Sequence, residues 1–174
     1  VNKEIAAEAV ESGAVKREID ILLCGRHSRP LFKALENFND PPIPGVSGSP
    51  AGCISLLKEL GIPLRDSQRW RRLVDLTKEE KQRLASELIR RAYTAVPPEF
   101  TKYIPSLIIG EVFSFVREED ESLLKDAGEF ATSLNSTARH EQPLIGLEVA
   151  KGDRGTYYRA MRSEEHTSEL QSPN

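Results

Sequence analysis

Along most of the chain, apolar positions recur with a helical period. Residues 3–12 carry Ile5, Ala6, Ala9 and Val10 on one side and stop near Gly13, which predicts an amphipathic helix. A second apolar segment, Ile19–Cys24, leads into Gly25. Ser28 is placed to cap a helix with Pro30 in its first turn, where a missing N–H costs nothing, and Leu31, Leu35 and Phe38 give that helix its apolar face. Residues 39–52 hold four prolines and three glycines and read as a loop. Ser49 and Pro50 then open a helix bearing Ile54, Leu57 and Leu60, which Gly61 and Pro63 stop.

Asp66–Leu76 is expected as a short helix carrying Trp70, Leu73 and Val74. Thr77-x-x-Glu80 is a capping-box pattern ahead of Leu84, Leu88 and Ile89, and Pro97-Pro98 breaks the chain again. Ile104–Val116 is apolar and partly β-branched with Gly110 inside, so helix and strand both stay open there. Leu123, Ala127, Phe130, Leu134 and Ala138 form one stripe at spacings of four and three, which predicts a single long helix over 118–138. Two short helices follow, Pro143–Ala150 and Arg154–Met161, with Asp153 placed to cap the second. The expectation is a mainly α chain with at most one or two strands.

Residues 162–174 break this pattern, with Leu170 the single large apolar side chain among them. The stretch 162–172 resembles the in-frame translation of a widely used short-read sequencing adapter. It is therefore set aside as a non-native tail, and the native part is read as 1–161, an internal piece of a longer protein. The whole sequence has a formal charge of −3; without the tail, 23 basic and 24 acidic residues remain. That balance excludes a surface that is basic all over, so any nucleic-acid binding must rest on local clusters. The 39% of hydrophobic residues suits a globular chain. No apolar run is long enough for a membrane span and no signal peptide is visible, so the expectation is a cytoplasmic protein with no membrane partner. Cys24 and Cys53 are far apart and read as reduced thiols. There is no phosphate-binding glycine loop and no dinucleotide, zinc-protease or nucleophile-elbow motif.

Three stretches in order carry more: Asn2-Lys3-Glu4-Ile5 through Gly13, Gly25-Arg26-His27-Ser28-Arg29-Pro30-Leu31, and Asp126 through Arg139. With the intervening residues 43–49 and 107–113, they resemble the archaeal branch of the DHH phosphoesterases. These are RecJ-like exonucleases specific for single strands, including the type that associates with the replisome GINS complex. The resemblance covers nearly all of 1–161. It implies a mainly α fragment of an α/β two-domain DHH phosphoesterase: residues 1–38 as the tail of the catalytic domain, 39–116 as a helical insertion, 117–139 as a connecting helix and 140–161 as the start of a C-terminal domain. The metal-binding motifs would lie upstream and a glycine-rich substrate motif downstream. The parent protein would then use Mn²⁺ or Mg²⁺ to hydrolyse single-stranded DNA or RNA in replication or repair, with GINS as a protein partner. The fragment itself would bind no metal and be inactive. Two alternatives stay open, a catalytically inactive RecJ-related replication scaffold and an unrelated helical interaction module.

The candidate phosphate-binding residues are Arg26, His27, Arg29, Asn135 and Arg139. Arg26 and Arg29 flank a helix start, where free N–H groups and the helix dipole favour anions, although the same arginines would also serve to brace the insertion through carboxylates. His27 taken alone reads as a neutral packing residue. Leu134-Asn135-Ser136-Thr137-Ala138-Arg139 resembles the family's LNA-x-GR pattern facing the inter-domain cleft, with Ala138 where glycine is usual. Gln68-Arg69-Trp70-Arg71-Arg72 has the look of a base-stacking patch, yet core packing of Trp70 among solvated arginines is the simpler reading.

Overall fold

The structure is a computed structural model, described over residues 2–139 and 142–157. The elements run α1 (Asn2–Glu11), β1 (Val15–Ile21), α2 (Leu31–Glu36), α3 (Pro50–Glu59), β2 (Arg65–Asp66), β3 (Arg69–Trp70), α4 (Lys78–Tyr93), α5 (Ile104–Ile108), β4 (Ile109–Phe115), α6 (Ala127–Arg139) and α7 (Pro143–Ala150), with 3₁₀ turns at Leu73–Asp75 and Pro98–Tyr103. It is mainly α, as the periodicity predicts, but with four strands in two small sheets where one or two strands at most were expected. The chain divides into two compact units, one ending at Glu129 and one starting at Phe130. Helix α6 begins in the first and continues in the second.

The first unit is built on one apolar core shared by α2, α3, α4 and α5. Leu35, Leu56, Leu57, Leu84, Leu88 and Ile108 are fully buried in it, each side chain contributing about 2 kcal/mol by leaving water. Local chemistry sets the helix starts. Ser49 accepts from the Gly52 N–H at 3.1 Å with Pro50 in the first position of α3. Thr77 and Glu80 close the expected capping box of α4, at 3.2 Å and 2.8 Å. The proline-rich loop packs back so tightly that a Cβ on Gly52 would lie 1.8 Å from the Gly45 carbonyl oxygen, so only glycine fits there.

One open question is settled and three local expectations come out differently. Ile104–Val116, open between helix and strand, uses both: α5 runs directly into β4. That strand pairs antiparallel with β1, from Val15↔Phe115 to Ile21↔Ile109, a partner supplied from far away in sequence. Ser28 does not cap α2. Pro30 precedes that helix without a side-chain cap, and the Ser28 hydroxyl donates to Glu129 instead.

Asp66–Leu76 is not a helix. Arg65–Trp70 forms a short hairpin, reversed at Ser67 with φ +54°, and a 3₁₀ turn follows. Tertiary bonds override the local helical spacing: the Arg71 N–H donates to the Leu64 carbonyl and the Arg71 carbonyl accepts from the Leu31 N–H. Nor is 118–138 one helix. Residues 116–126 fold back along β4, with the Phe115 N–H donating to the Lys125 carbonyl at 2.8 Å and Lys125 Nζ donating to the Glu118 carbonyl at 2.8 Å. Asp126 Oδ1 then accepts from the Gly128 and Glu129 N–H groups and starts α6.

In the second unit, α6 and α7 approach closely enough that a Cβ on Gly146 would sit 2.5 Å from Thr137 Oγ1. The Gln142 N–H donates to the Thr137 carbonyl across the turn. Asp153 accepts from the Thr156 N–H at 3.0 Å, the expected cap, and the chain is helical from 154 to 157. The rest of that helix and the 162–174 stretch lie outside the described residues. Among the described residues no helix is long and apolar enough to cross a membrane.

Candidate nucleic-acid interface

Strand β1 ends at Ile21, and the chain turns through Gly25 with φ +85°. Glu129, in the first turn of α6 and 4% exposed, holds this loop at two points. Its Oε1 accepts from the Gly25 N–H at 2.9 Å and its Oε2 from the Ser28 hydroxyl at 2.7 Å. Burial raises the Glu129 carboxyl above its ordinary value; the Ser28 hydrogen bond opposes this and the nearby Asp126 charge reinforces it.

Within this loop Arg26 and Arg29 face different surroundings. Arg26 is 2% exposed and points at carboxylates: Asp20 at 3.4 Å, Glu18 at 3.8 Å and Asp126 at 3.9 Å. Its Nε and Nη1 are buried without a hydrogen-bond partner. Asp20 is further held by Lys81 at 2.6 Å and by the Ile21 N–H at 2.9 Å. Arg26 is therefore the buried counter-ion of an acidic cluster of which Asp20 is the buried member, the bracing role the sequence left open. His27 also faces inward. Its Nε2 lies 3.2 Å from the Ser114 hydroxyl, and its carbonyl accepts from Arg72 Nη1 at 2.9 Å. Burial lowers the His27 ring below its ordinary value and the adjacent Arg26 charge adds to that, which favours the neutral ring.

Arg29 is the outward member. Its side chain is exposed, and its aliphatic stem lies over Gly25 so closely that a Cβ there would meet Arg29 Cδ at 2.8 Å. No carboxylate among the described residues is within ion-pair distance of its guanidinium. Asn135 and Arg139 belong to the second unit, one turn apart on α6, and both are exposed. Ala138, where the resembling pattern has glycine, is exposed too, while Thr137 is turned toward Gly146.

The 65–72 segment holds the feature that the core-packing reading misses. Trp70 is not in the core; it is 36% exposed on the hairpin. The Arg65 guanidinium lies 3.8 Å from its ring centroid, and the Phe32 ring sits 5.1 Å away, tilted by 57°. Arg71 and Arg72 are not solvated: Arg71 grips Glu80 at 2.6 Å and 2.8 Å, and Arg72 grips Asp75. The signal available in the sequence was Asp66-Ser67-Gln68, a turn composition between two Arg-bearing flanks.

Residues 22–101 match the DHH-CID domain. The matched segment runs from the end of β1 through α4 into the 3₁₀ turn at Pro98–Tyr103, and it contains both the 25–29 loop and the hairpin. The match covers a little under half of the chain, and it carries the DHH name that the sequence resemblance led one to expect. The chain is also similar to an uncharacterized protein of Methanocaldococcus jannaschii, 36% identical over 103 residues, which cover 59% of this chain and 30% of that protein. The chain thus spans less than a third of this archaeal relative's length.

Proposed function

We propose that this chain is part of a DHH-family phosphoesterase that hydrolyses single-stranded DNA or RNA as an exonuclease in replication or repair, in the cytoplasm. The observation that carries the reading is the DHH-CID match over 22–101. Two bound Mn²⁺ or Mg²⁺ ions would supply the activated water and stabilise the leaving oxygen. The described residues do not fit those ions. Among them no three His, Cys, Asp or Glu side chains gather as a metal-holding group, and the most buried aspartate, Asp20, is already neutralised by Lys81 and Arg26. The role proposed for this chain is substrate contact, and the expectation to be tested is that the chain by itself is inactive.

In this reading Arg29, Asn135 and Arg139 meet backbone phosphates through charge-assisted or polar hydrogen bonds and carry no base information. Arg26 and His27 hold the loop that presents Arg29. The GINS complex is the protein partner that the family resemblance brings into the proposal. The test compares the 174-residue chain with a longer protein containing it, on end-labelled single strands with Mn²⁺ and with chelator. The expected result is binding without cleavage by the chain and chelator-sensitive shortening by the longer protein. Binding without turnover by both would leave the inactive scaffold. Absence of single-strand binding by both would end the nucleic-acid reading.

A further inference from the structure

We infer that the β2–β3 hairpin is a nucleobase-stacking platform, in which the Arg65 guanidinium, laid on Trp70, offers its outer face to an unpaired base of a single strand. The inference deepens the single-strand reading above and rests on it. Arg65 and Trp70 are direct cross-strand partners, so the hairpin register itself places the guanidinium over the indole. At 3.8 Å from the ring centroid it is in van der Waals contact with the ring face. The stack has a fixed base: Phe32, from α2, contacts the indole from the core side and is itself packed against the apolar core.

The four arginines of 65–72 divide sharply. Arg69 pairs with Asp75 and Glu121, Arg71 with Glu80, and Arg72 with Asp75 and Glu121. Arg65 alone of the four has no carboxylate within ion-pair distance among the described residues, and it is exposed. A guanidinium ordered on an aromatic ring keeps its donors at the rim and a flat π face outward. Single strands are recognised by stacking on such aromatic and guanidinium planes, whereas a duplex has its bases already stacked on one another. Trp70, on the apolar side of the pair, then sets the guanidinium plane.

Trp70 is the only tryptophan of the chain, so its emission reports this site directly. The experiment titrates the 174-residue chain with a short fluorescently labelled single-stranded DNA, following the label's anisotropy and the Trp70 emission in parallel. Saturable binding with a matching change in Trp70 emission is expected. An abasic strand of the same length should bind more weakly and leave the emission unchanged. Arg65→Ala should weaken binding roughly five- to hundredfold, the range for loss of one stacked base. Arg65→Lys, which keeps the charge and loses the plane, should be nearly as weak. Circular dichroism checks that both variants fold.

Binding seen by anisotropy without an emission change, or with full affinity in Arg65→Ala, overturns the platform and leaves the single-strand reading standing. An equal emission change with polyglutamate, or a wild-type response in Arg65→Lys, shows a site that reads charge, as an acidic protein partner would require, and overturns it too. No binding of any single strand overturns the platform together with the reading beneath it.

Discussion

Arg26 and Arg29 are neighbours in sequence and opposites in the fold. One is 2% exposed among Glu18, Asp20 and Asp126; the other is exposed, with its stem on Gly25 and no acidic partner within ion-pair distance among the described residues. Both are the same residue type in the same loop of the matched 22–101 segment. Their difference is created by what surrounds them: β1 and the turn before α6 bring carboxylates within ion-pair distance of one and not of the other. A cationic cluster in a sequence is thus a count of charges, and only packing says which of them is available to a ligand. The second unit offers the same contrast in milder form, with Thr137 turned against Gly146 while Asn135 and Arg139 on the same helix are exposed.

The largest expected effect is at the buried member. Arg26→Ala leaves Asp126 without its cation and Asp20 with Lys81 alone, which should cost about 3 kcal/mol, the low end for a broken buried pair, and lower the urea midpoint clearly. An unchanged midpoint would mean that Arg26 is not their counter-ion and would return it to the list of phosphate ligands.

Gly25→Ala comes next. The residue sits at φ +85° beneath the Arg29 stem; the left-handed backbone alone should cost about 1–2 kcal/mol. A double-mutant cycle with Arg29→Ala separates the two causes. Relief of the steric part only, with the backbone part persisting, is expected. Complete rescue would show that the crowding by Arg29 is the whole effect.

Acid sharpens the comparison by addressing the locked arginines selectively. The Arg71 hydrogen bonds hold Glu80 down from 4.5 to about 2. At Asp75 burial pushes upward, but the bonds from Arg72 win and the group falls from 3.8 to about 2. A carboxyl whose folded value is depressed stabilises the fold above its unfolded value and loses that contribution as pH falls through the folded one. Thermal stability should therefore decline from about pH 4.5 toward pH 2. Glu129 works the other way and in a different window: its folded value is raised, so stability is gained as pH falls toward about 4.5 and this contribution is flat below it. Glu129→Gln should therefore remove a gain seen above pH 4.5 and leave the decline below it in place; an unchanged profile above pH 4.5 would contradict the buried placement of that carboxyl.

The smallest stability effect is at the exposed arginines. Arg29→Ala and Arg139→Ala should each change folding stability by less than about 0.5 kcal/mol. Each should flatten the dependence of log K on log salt for single-strand binding by roughly 0.7 per lost phosphate contact. A titration at several salt concentrations reads this, and an unchanged slope with normal folding would remove that residue from the interface.

Much of the fold is legible in the sequence where the deciding groups are a few residues apart. The Ser49 cap of α3, the Thr77–Glu80 box of α4 and the Asp153 cap each bond over a distance of three residues. The mainly α class follows from the same short-range periodicity. The 118–138 stripe shows the limit of that reasoning. Its spacing is helical throughout, but residues 116–126 form backbone and side-chain bonds with β4 and with each other, and the helix waits for Asp126. Trp70 shows it again: its apolar neighbours suggested a core position, whereas the Leu64–Arg71 and Leu31–Arg71 backbone bonds turn the segment into a hairpin.

The sequence by itself determined the starts of α3 and α4, the obligatory glycine-and-proline turns and the total of charges, because those depend on i to i+3 chemistry and on backbone sterics that no distant residue alters. Tertiary structure alone decided that Ile109–Phe115 is a strand, since its hydrogen bonds are completed by β1. It alone decided that Ser28 serves Glu129 rather than α2, and that Arg26 is enclosed while Arg29 and Arg65 are left open. A buried charge must find its counter-charge wherever the chain brings one, and for Arg26 those charges come from the strand before the loop and from the start of a helix about a hundred residues later.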